Sequence, residues 1–271
     1  MDRPSQAEGF FSTHSTYIRG IINHKSIKMK KILFGLFMSI TISVNGQFLQ
    51  SRLLKVDQSN VAKFEAAVAQ KTKLYNNKEG QPRYITFKIL SGPYAQNYVR
   101  MQYAEEISEF DKVDKVGNDY WFKTTGKLHV SEGNRIFSRN AGATYSPEGA
   151  ERVNHRRILY YKLKPGKEKD FWRYRTRLVK ALEAADWPNR VSTLNCNSGC
   201  NGNWVMVRYH HKDFENENEV NTKIFPVVVE KYNELFGEDS YEDDSQRLQM
   251  SVEENRTRHH QRMPALSSSW N

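Results

Sequence analysis

The sequence repeats one order of predicted secondary structure elements at an interval of 105–108 residues. Residues 52–107 and residues 157–214 both show a pattern of strand, helix, strand, turn and strand. Sequence identity between the two copies is low, but the spacing is preserved. A repeat of this length predicts two copies of one α+β unit within the chain. The equivalent pairs, each 20 residues apart, are Phe64 with Tyr84 and Phe171 with Val191.

The helix of each copy is predicted by apolar residues that recur every three or four positions. In residues 167–186 these positions place Phe171, Leu178 and Leu182 on one face, with arginines and lysine on the others. Trp187-Pro188 ends this helix, because proline disfavours the helical conformation of the residue before it. The fold class that follows is α+β, with two ferredoxin-like βαββ units and extra helices.

The expected boundaries follow from this layout. Residues 47–140 form the first α+β repeat, residues 141–153 a linker, and residues 154–258 the second repeat. Residues 259–271 are predicted to be a disordered tail.

Each repeat carries additional predicted helices after its last strand. The pattern favours short helices at residues 110–116 and 120–130, followed by a loop at residues 131–133. After the second repeat, residues 220–236 form an amphipathic helix with Pro226 near its first turn, and residues 245–258 form a last helix.

The beginning of the chain predicts export. A short basic run is followed by 13 apolar residues, Ile32–Val44, and by small residues that suit cleavage before Gln47. Thirteen residues are too few for a membrane span, which needs ~20. We therefore expect a signal peptide at residues 29–46, an upstream extension at residues 1–28, a periplasmic or secreted protein, and no stable membrane anchor after cleavage.

The two cysteines, Cys196 and Cys200, flank the turn-like sequence Asn-Ser-Gly. In an oxidising compartment we expect them to form a disulfide across the hairpin. A redox-active or metal-binding pair is the alternative, but the spacing is not Cys-x-x-Cys and no second pair at zinc spacing is present.

Alternation along the strands assigns their faces. Val205 and Val207 are predicted to face the helix of the second copy, whereas Ile85, Phe87 and Val99 are predicted to face the helix of the first. The remaining faces are mixed aromatic and polar, and we expect them to line a cavity that binds a small anionic or aromatic ligand. The candidate ligand-binding residues are Tyr84, Lys88, Tyr98, Arg100, Trp204, Arg208 and His210.

Two βαββ units with an extra C-terminal helix resemble the dimeric α+β barrel superfamily, which includes antibiotic biosynthesis monooxygenases. The resemblance covers residues 50–258 and rests on element order and on Leu163-Lys-Pro-Gly-Lys-Glu-Lys-Asp-Phe171, which is similar to the loop that opens the family's helix. It implies that the two units pair their sheets into one intramolecular barrel, so that the chain is a monomer with an internal pseudo-dimer.

No motif identifies a reaction or a cofactor, and no metal site is predicted. His210 and His211 are neighbours on a strand and point to opposite faces, so they cannot both bind one ion. A haem-degrading relative would need an axial histidine, and His210 would be the candidate. The formal net charge of +10, which falls to +6 without residues 1–46, does not predict a nucleic-acid partner, because no nucleic-acid-binding motif accompanies it.

Two classes of function remain open from the sequence. The first is an exported binding protein with a small-molecule cavity between its repeats. The second is a cofactor-independent oxygenase or a haem-degrading enzyme of the same superfamily. A substrate-assisted oxygenase needs few protein groups, so a missing motif does not exclude it.

Overall fold

The computed structural model describes residues 47–269, so the predicted signal peptide and upstream extension lie outside the described residues. Two halves follow each other in this range, each with the order βαββαβ. The first half contains β1 Phe48–Val56, α1 Val61–Tyr75, β2 Arg83–Ile89, β3 Tyr98–Ala104, α2 Lys115–Thr125 and β4 His129–Arg139. The second contains β5 His155–Leu163, α3 Glu168–Ala184, β6 Val191–Ser198, β7 Asn203–His211, α4 Phe214–Glu219, α5 Phe225–Phe236, α6 Ser240–Ser251 and β8 Val252–Arg262.

The eight strands form one closed antiparallel barrel in the order β1-β3-β2-β8-β5-β7-β6-β4, with β4 paired to β1. The last strand of each half joins the two halves, because β4 pairs with β6 and β8 pairs with β2. Closure removes the open edges that two separate sheets would present. The predicted intramolecular α+β barrel is confirmed.

Apolar side chains occupy three layers. The barrel interior is a cluster to which both halves contribute, including Phe87, Met101 and Met206. A second cluster lies between the sheet and α1 in the first half. A third and larger cluster lies between the sheet and helices α3, α5 and α6 in the second half. Both faces of the sheet are therefore covered, which is what makes the strands hard to orient from their sequence.

Two short segments cross from one half to the other after the fourth strand of each half. Residues 140–145 follow β4 and bond to Thr193 and Val191 of the second half. Residues 263–268 follow β8 and bond to Thr86 and Tyr84 of the first half. We call these the two crossover segments. Each one covers the outer face of the other half's sheet beside its first helix.

The structure corrects the predicted C-terminal ends of both repeats. The predicted loop at residues 131–133 is part of β4, and most of the predicted helix at residues 245–258 is α6 followed by β8. The predicted disordered tail is wrong over residues 259–268, since these complete β8 and form a crossover segment in which Leu266 is 3% exposed. Both strands are highly polar, and they form because their backbones pair with neighbours on two sides.

The remaining local predictions agree with the structure. Pro226 lies in the first turn of α5, where its missing N–H leaves no helical hydrogen bond unmade. Cys196 and Cys200 form a disulfide across the β6–β7 hairpin. Among residues 47–269, no helix is both long and apolar enough to cross a membrane.

Candidate anion-binding site

One end of the barrel opens into a cavity of about 730 Å³, which we call the barrel mouth. Its inner wall is apolar and includes Ile85 and Phe87 of the first half and Leu194 of the second. Four arginines of the second half and of β4 also line it. We call these the mouth arginines: Arg139, Arg156, Arg190 and Arg208.

The strand register brings the mouth arginines and two histidines together. Arg156 on β5 lies opposite His210 of β7 on one side and opposite His260 of β8 on the other. Arg208 lies two residues before His210 and therefore shares its face of β7. Arg139 ends β4, the strand that crosses over from the first half. The site thus depends on strands from both halves.

The mouth arginines make few bonds, and none of those bonds is to a carboxylate. Arg156 donates to the carbonyl of His155 at 2.7 Å, and Arg190 donates to the carbonyl of Ala150 at 2.8 Å. Arg208 donates to the Tyr103 hydroxyl at 3.0 Å. The Nε atoms of Arg139, Arg156 and Arg190 are buried without a hydrogen-bond partner.

Within residues 47–269, none of the four mouth arginines lies within ion-pair distance of an acidic side chain. The mouth also includes Glu105 and Glu109, but the Glu109 carboxylate accepts the backbone N–H groups of Glu105 and Glu106. Positive charge in the mouth is therefore concentrated and uncompensated.

Burial and mutual repulsion disfavour the charged forms of these groups. Arg156 is 2% exposed, and burial together with the charges of Arg208, Arg262 and Arg190 lowers its pKa to about 9. Burial, then Arg190 and Arg208, lowers the pKa of Arg139. An anion bound among these guanidinium groups would relieve that repulsion and make charge-assisted hydrogen bonds.

His210 does not fit the axial role that a haem-binding relative would require. Its Nε2 atom lies 3.2 Å from the Ser192 hydroxyl. Burial and the charges of Arg156 and Arg208 hold the pKa of His210 well below its ordinary value. The same positive charges would oppose an iron cation at this imidazole, and they favour an anion instead.

The structure brings together only two of the seven candidate ligand-binding residues at this cavity, namely Arg208 and His210. Trp204 shares their face of β7 but lies at the other end of the strand, where its Nε1 donates to the carbonyl of Asn201 at 2.9 Å. Arg256 lies 5.3 Å from the centroid of the Trp204 ring.

The four candidates of the first half lie on the outer face of the barrel, so the predicted faces of β2 and β3 are wrong. Tyr98 packs against Phe64 of α1, and its hydroxyl hydrogen-bonds Glu65 of the same helix at 2.5 Å. Ile85, Phe87, Val99 and Met101 belong to the cluster inside the barrel. The other outward-facing candidates are Tyr84, Lys88 and Arg100.

Sequence analysis missed three of the mouth arginines. Arg156 lies one residue before the predicted start of its strand, and Arg139 lies in a strand that was not predicted. Arg190 was placed at the start of a strand without a role. The available signal was composition, because arginine near the end of three strands that meet in one barrel indicates a shared basic site.

No protein-family model matches the sequence, and no curated protein matches it. Solved structures do match the fold. A proposed monooxygenase from Lactobacillus acidophilus NCFM aligns with a TM-score of 0.56 at 9% identity, covering 83% of this chain and 97% of its own. A proposed monooxygenase from Fusobacterium nucleatum aligns with a TM-score of 0.53 at 10% identity, covering 79% of this chain and 91% of its own.

A mutant chlorite dismutase from Candidatus Nitrospira defluvii aligns with a TM-score of 0.50 at 9% identity, covering 82% of this chain and 93% of its own. At such low identity, these similarities establish architecture and leave the activity open. With the closed eight-stranded barrel and its two βαββαβ halves, they show that this chain has the dimeric α+β barrel fold, formed within a single chain.

Proposed function

We propose that the protein binds a small organic anion with an apolar body in the barrel mouth. The observation that carries this proposal is the group of four mouth arginines with no carboxylate partner in the described part of the chain. Arg156 and Arg208 are 2% and 6% exposed, so their desolvation is offset only weakly by the protein itself.

The shape of the cavity supports an amphiphilic ligand. The guanidinium groups would receive a carboxylate or sulfonate, and Ile85, Phe87 and Leu194 would contact its apolar body. Arg208 also lies 5.8 Å from the centroid of the Tyr103 ring, which holds it at the join between the halves. Because the barrel closes within one chain, the proposed binding unit is a monomer.

The test uses the full chain and the fluorescent anion 8-anilinonaphthalene-1-sulfonate as the probe. Decanoate should displace this probe, whereas decanol, which lacks the charge, should displace it much less. Arg156→Met and Arg208→Met should each weaken probe binding about tenfold to a hundredfold, because a charge-assisted hydrogen bond contributes about 1.5–3 kcal/mol.

Arg247→Met is the matched control, since Arg247 lies exposed on α6 and does not line the barrel mouth. It removes the same charge and should leave probe binding unchanged. The proposal fails if the two mouth variants bind as the wild type does, or if decanol competes as well as decanoate.

A second candidate function is a cofactor-independent oxygenase that acts on the same bound anion. The observation that favours it is His210, whose imidazole is neutral at pH 7 and lines the cavity beside Arg208. A neutral imidazole there can accept a substrate proton. Oxygen uptake that requires an added organic anion and is lost in His210→Asn would support this candidate; absence of uptake with every anion that displaces the probe would reject it.

Export completes the proposed role, and a disulfide suits an oxidising compartment. Cleavage before Gln47 would release the barrel without residues 1–46. Intact-mass measurement of protein recovered from the periplasm or medium should give the mass of residues 47–271. A mass that retains Ile32–Val44 would contradict this proposal.

A further inference from the structure

A second polar cluster lies on the outer face of the second half, on the side of the sheet opposite to the barrel mouth. Neighbouring strands β5 and β8 carry His155 and His259, and helix α4 places Glu217 against both of them. The Asp213 side chain caps α4 by accepting the backbone N–H of Asn216 at 2.8 Å. The three side chains thus come from three different elements.

Their distances resemble those between ligands of one metal ion. Glu217 Oε2 lies 3.1 Å from His155 Nε2, and Glu217 Oε1 lies 3.2 Å from His259 Nε2. One potential ligand atom from each residue can be chosen so that all three lie within 4.8 Å of one another. Ligands bound at about 2.0–2.2 Å from one ion stand roughly 3.0–3.5 Å apart, so only a small adjustment is needed.

The surroundings orient both imidazole rings. Ser91 Oγ lies 3.1 Å from His259 Nδ1 and also accepts the His259 backbone N–H at 2.9 Å. An oxygen partner on the second ring nitrogen is the usual support for a metal-binding histidine. The Phe214 ring covers the pair, with its centroid 4.4 Å from that of His155 and 5.0 Å from that of His259.

Two neighbours limit what the cluster can bind. Arg157 Nε lies 3.8 Å from Glu217 Oε1, so the carboxylate already has one partial partner. His211 Nδ1 lies 3.3 Å from the Asn189 amide, which occupies that ring nitrogen and leaves three ligands. His259 is 21% exposed, which gives an ion a path from solvent.

We propose that His155, Glu217 and His259 form a binding site for a divalent transition-metal ion of the zinc class. Two imidazole nitrogens and one carboxylate suit zinc or cobalt, whereas magnesium and calcium prefer oxygen ligands alone. Three protein ligands leave at least one coordination position for water or another ligand. The site is independent of the proposed function, because it lies on the other face of the sheet.

The test titrates untagged, chelator-treated full-length protein with Zn²⁺ by calorimetry and with Co²⁺ by visible absorption. We expect one equivalent to bind, and a cobalt spectrum of low coordination number. Mg²⁺ should not compete. Glu217→Gln should weaken Zn²⁺ binding by at least about tenfold, because it removes the charged ligand.

Glu215→Gln is the matched control, since Glu215 lies exposed on the same helix two residues away. It should bind Zn²⁺ as the wild type does, and Zn²⁺ should raise the Tm of both but not that of Glu217→Gln. His259→Asn provides a second loss variant if Glu217→Gln does not fold. Failure of the wild type to bind one equivalent, or wild-type affinity in the folded loss variants, would overturn the proposal.

Discussion

The two halves of the barrel place a buried arginine differently beneath their first helix. In the first half Arg100 on β3 faces Val68 on α1. At an offset of 107 residues, the second half has Val207 on β7 and Arg175 on α3. Arginine and valine have exchanged places between strand and helix. Both arginines nevertheless reach equivalent threonines, Thr86 at 2.7 Å and Thr193 at 3.5 Å.

This exchange teaches that the layer under each helix preserves its contents and not the position of each residue. It also explains the inverted faces of β2 and β3. The sequence match of Asn97-Tyr98-Val99 to Asn203-Trp204-Val205 has an offset of 106, whereas the structural offset is 107. A one-residue slip moves every side chain to the other face of a strand.

The largest expected effect comes from placing a second arginine in the first half. Val68→Arg should destabilise the protein by more than about 4 kcal/mol, because it buries a charge beside Arg100. Arg100→Val should cost about 2–3 kcal/mol, since Thr86 and the Leu266 carbonyl lose a donor. The double variant reproduces the arrangement of the second half.

We therefore expect the double variant to be more stable than the sum of the single changes predicts, by at least about 1 kcal/mol. Urea denaturation followed by tryptophan fluorescence gives all four free energies of unfolding. Strict additivity would show that the two halves are not interchangeable in this layer.

The next effect concerns the crossover segments. Removing residues 264–271 takes away Leu266, whose carbonyl accepts from Arg100, Thr72 and Thr86. We expect a loss of about 4 kcal/mol or slightly less, because buried apolar contacts and three hydrogen bonds disappear together. A chain that lacks only residues 270 and 271 is the control in thermal denaturation. Equal Tm values for the two chains would mean that this crossover segment contributes nothing.

The hairpins of the two halves are fastened in different ways. Cys196–Cys200 closes the β6–β7 hairpin, whereas Ser91 and the Leu90 backbone N–H fasten the β2–β3 hairpin to β8. Replacing both cysteines by serine should cost at most about 2 kcal/mol, because the closed loop is only five residues long. Urea denaturation of the oxidised wild type, the reduced wild type and the variant measures this. A cost well above that value would point to a role in packing.

The smallest effect is a pH dependence confined to the first half. Burial and the charge of Arg100 lower the pKa of Lys71 to about 8, although Asp114 opposes them; the equivalent residue of the second half is Leu178. The unfolded chain keeps this lysine protonated to about pH 10.4, so the unfolded state binds more protons between the two values. Stability contributed by this position should therefore rise with pH in that window.

Lys71→Met should remove about 1 kcal/mol of this rise per pH unit, whereas Lys73→Met, at an exposed position of the same helix, should retain it. Free energies of unfolding measured from about pH 8 to about pH 10 give the slopes. Identical slopes in the wild type and Lys71→Met would contradict the assignment.

The sequence by itself determined the repeat, the first helix of each half, the first three strands of each half and the disulfide. These follow from local periodicity, from proline and glycine breakers, and from two cysteines four positions apart. Arg208 and His210 were also placed on the correct face of β7, because Val205 and Val207 mark the helix side of that strand clearly.

Only the tertiary structure decided the fourth strand of each half, the faces of the first half and the composition of both polar clusters. Strands β4 and β8 are too polar to show a strand pattern, and they exist because backbone pairing closes the barrel. Both faces of β3 are buried, so alternation cannot tell the barrel interior from the helix side. His155, Glu217 and His259 are far apart in the chain, and pairing across strands together with helix docking brings them together.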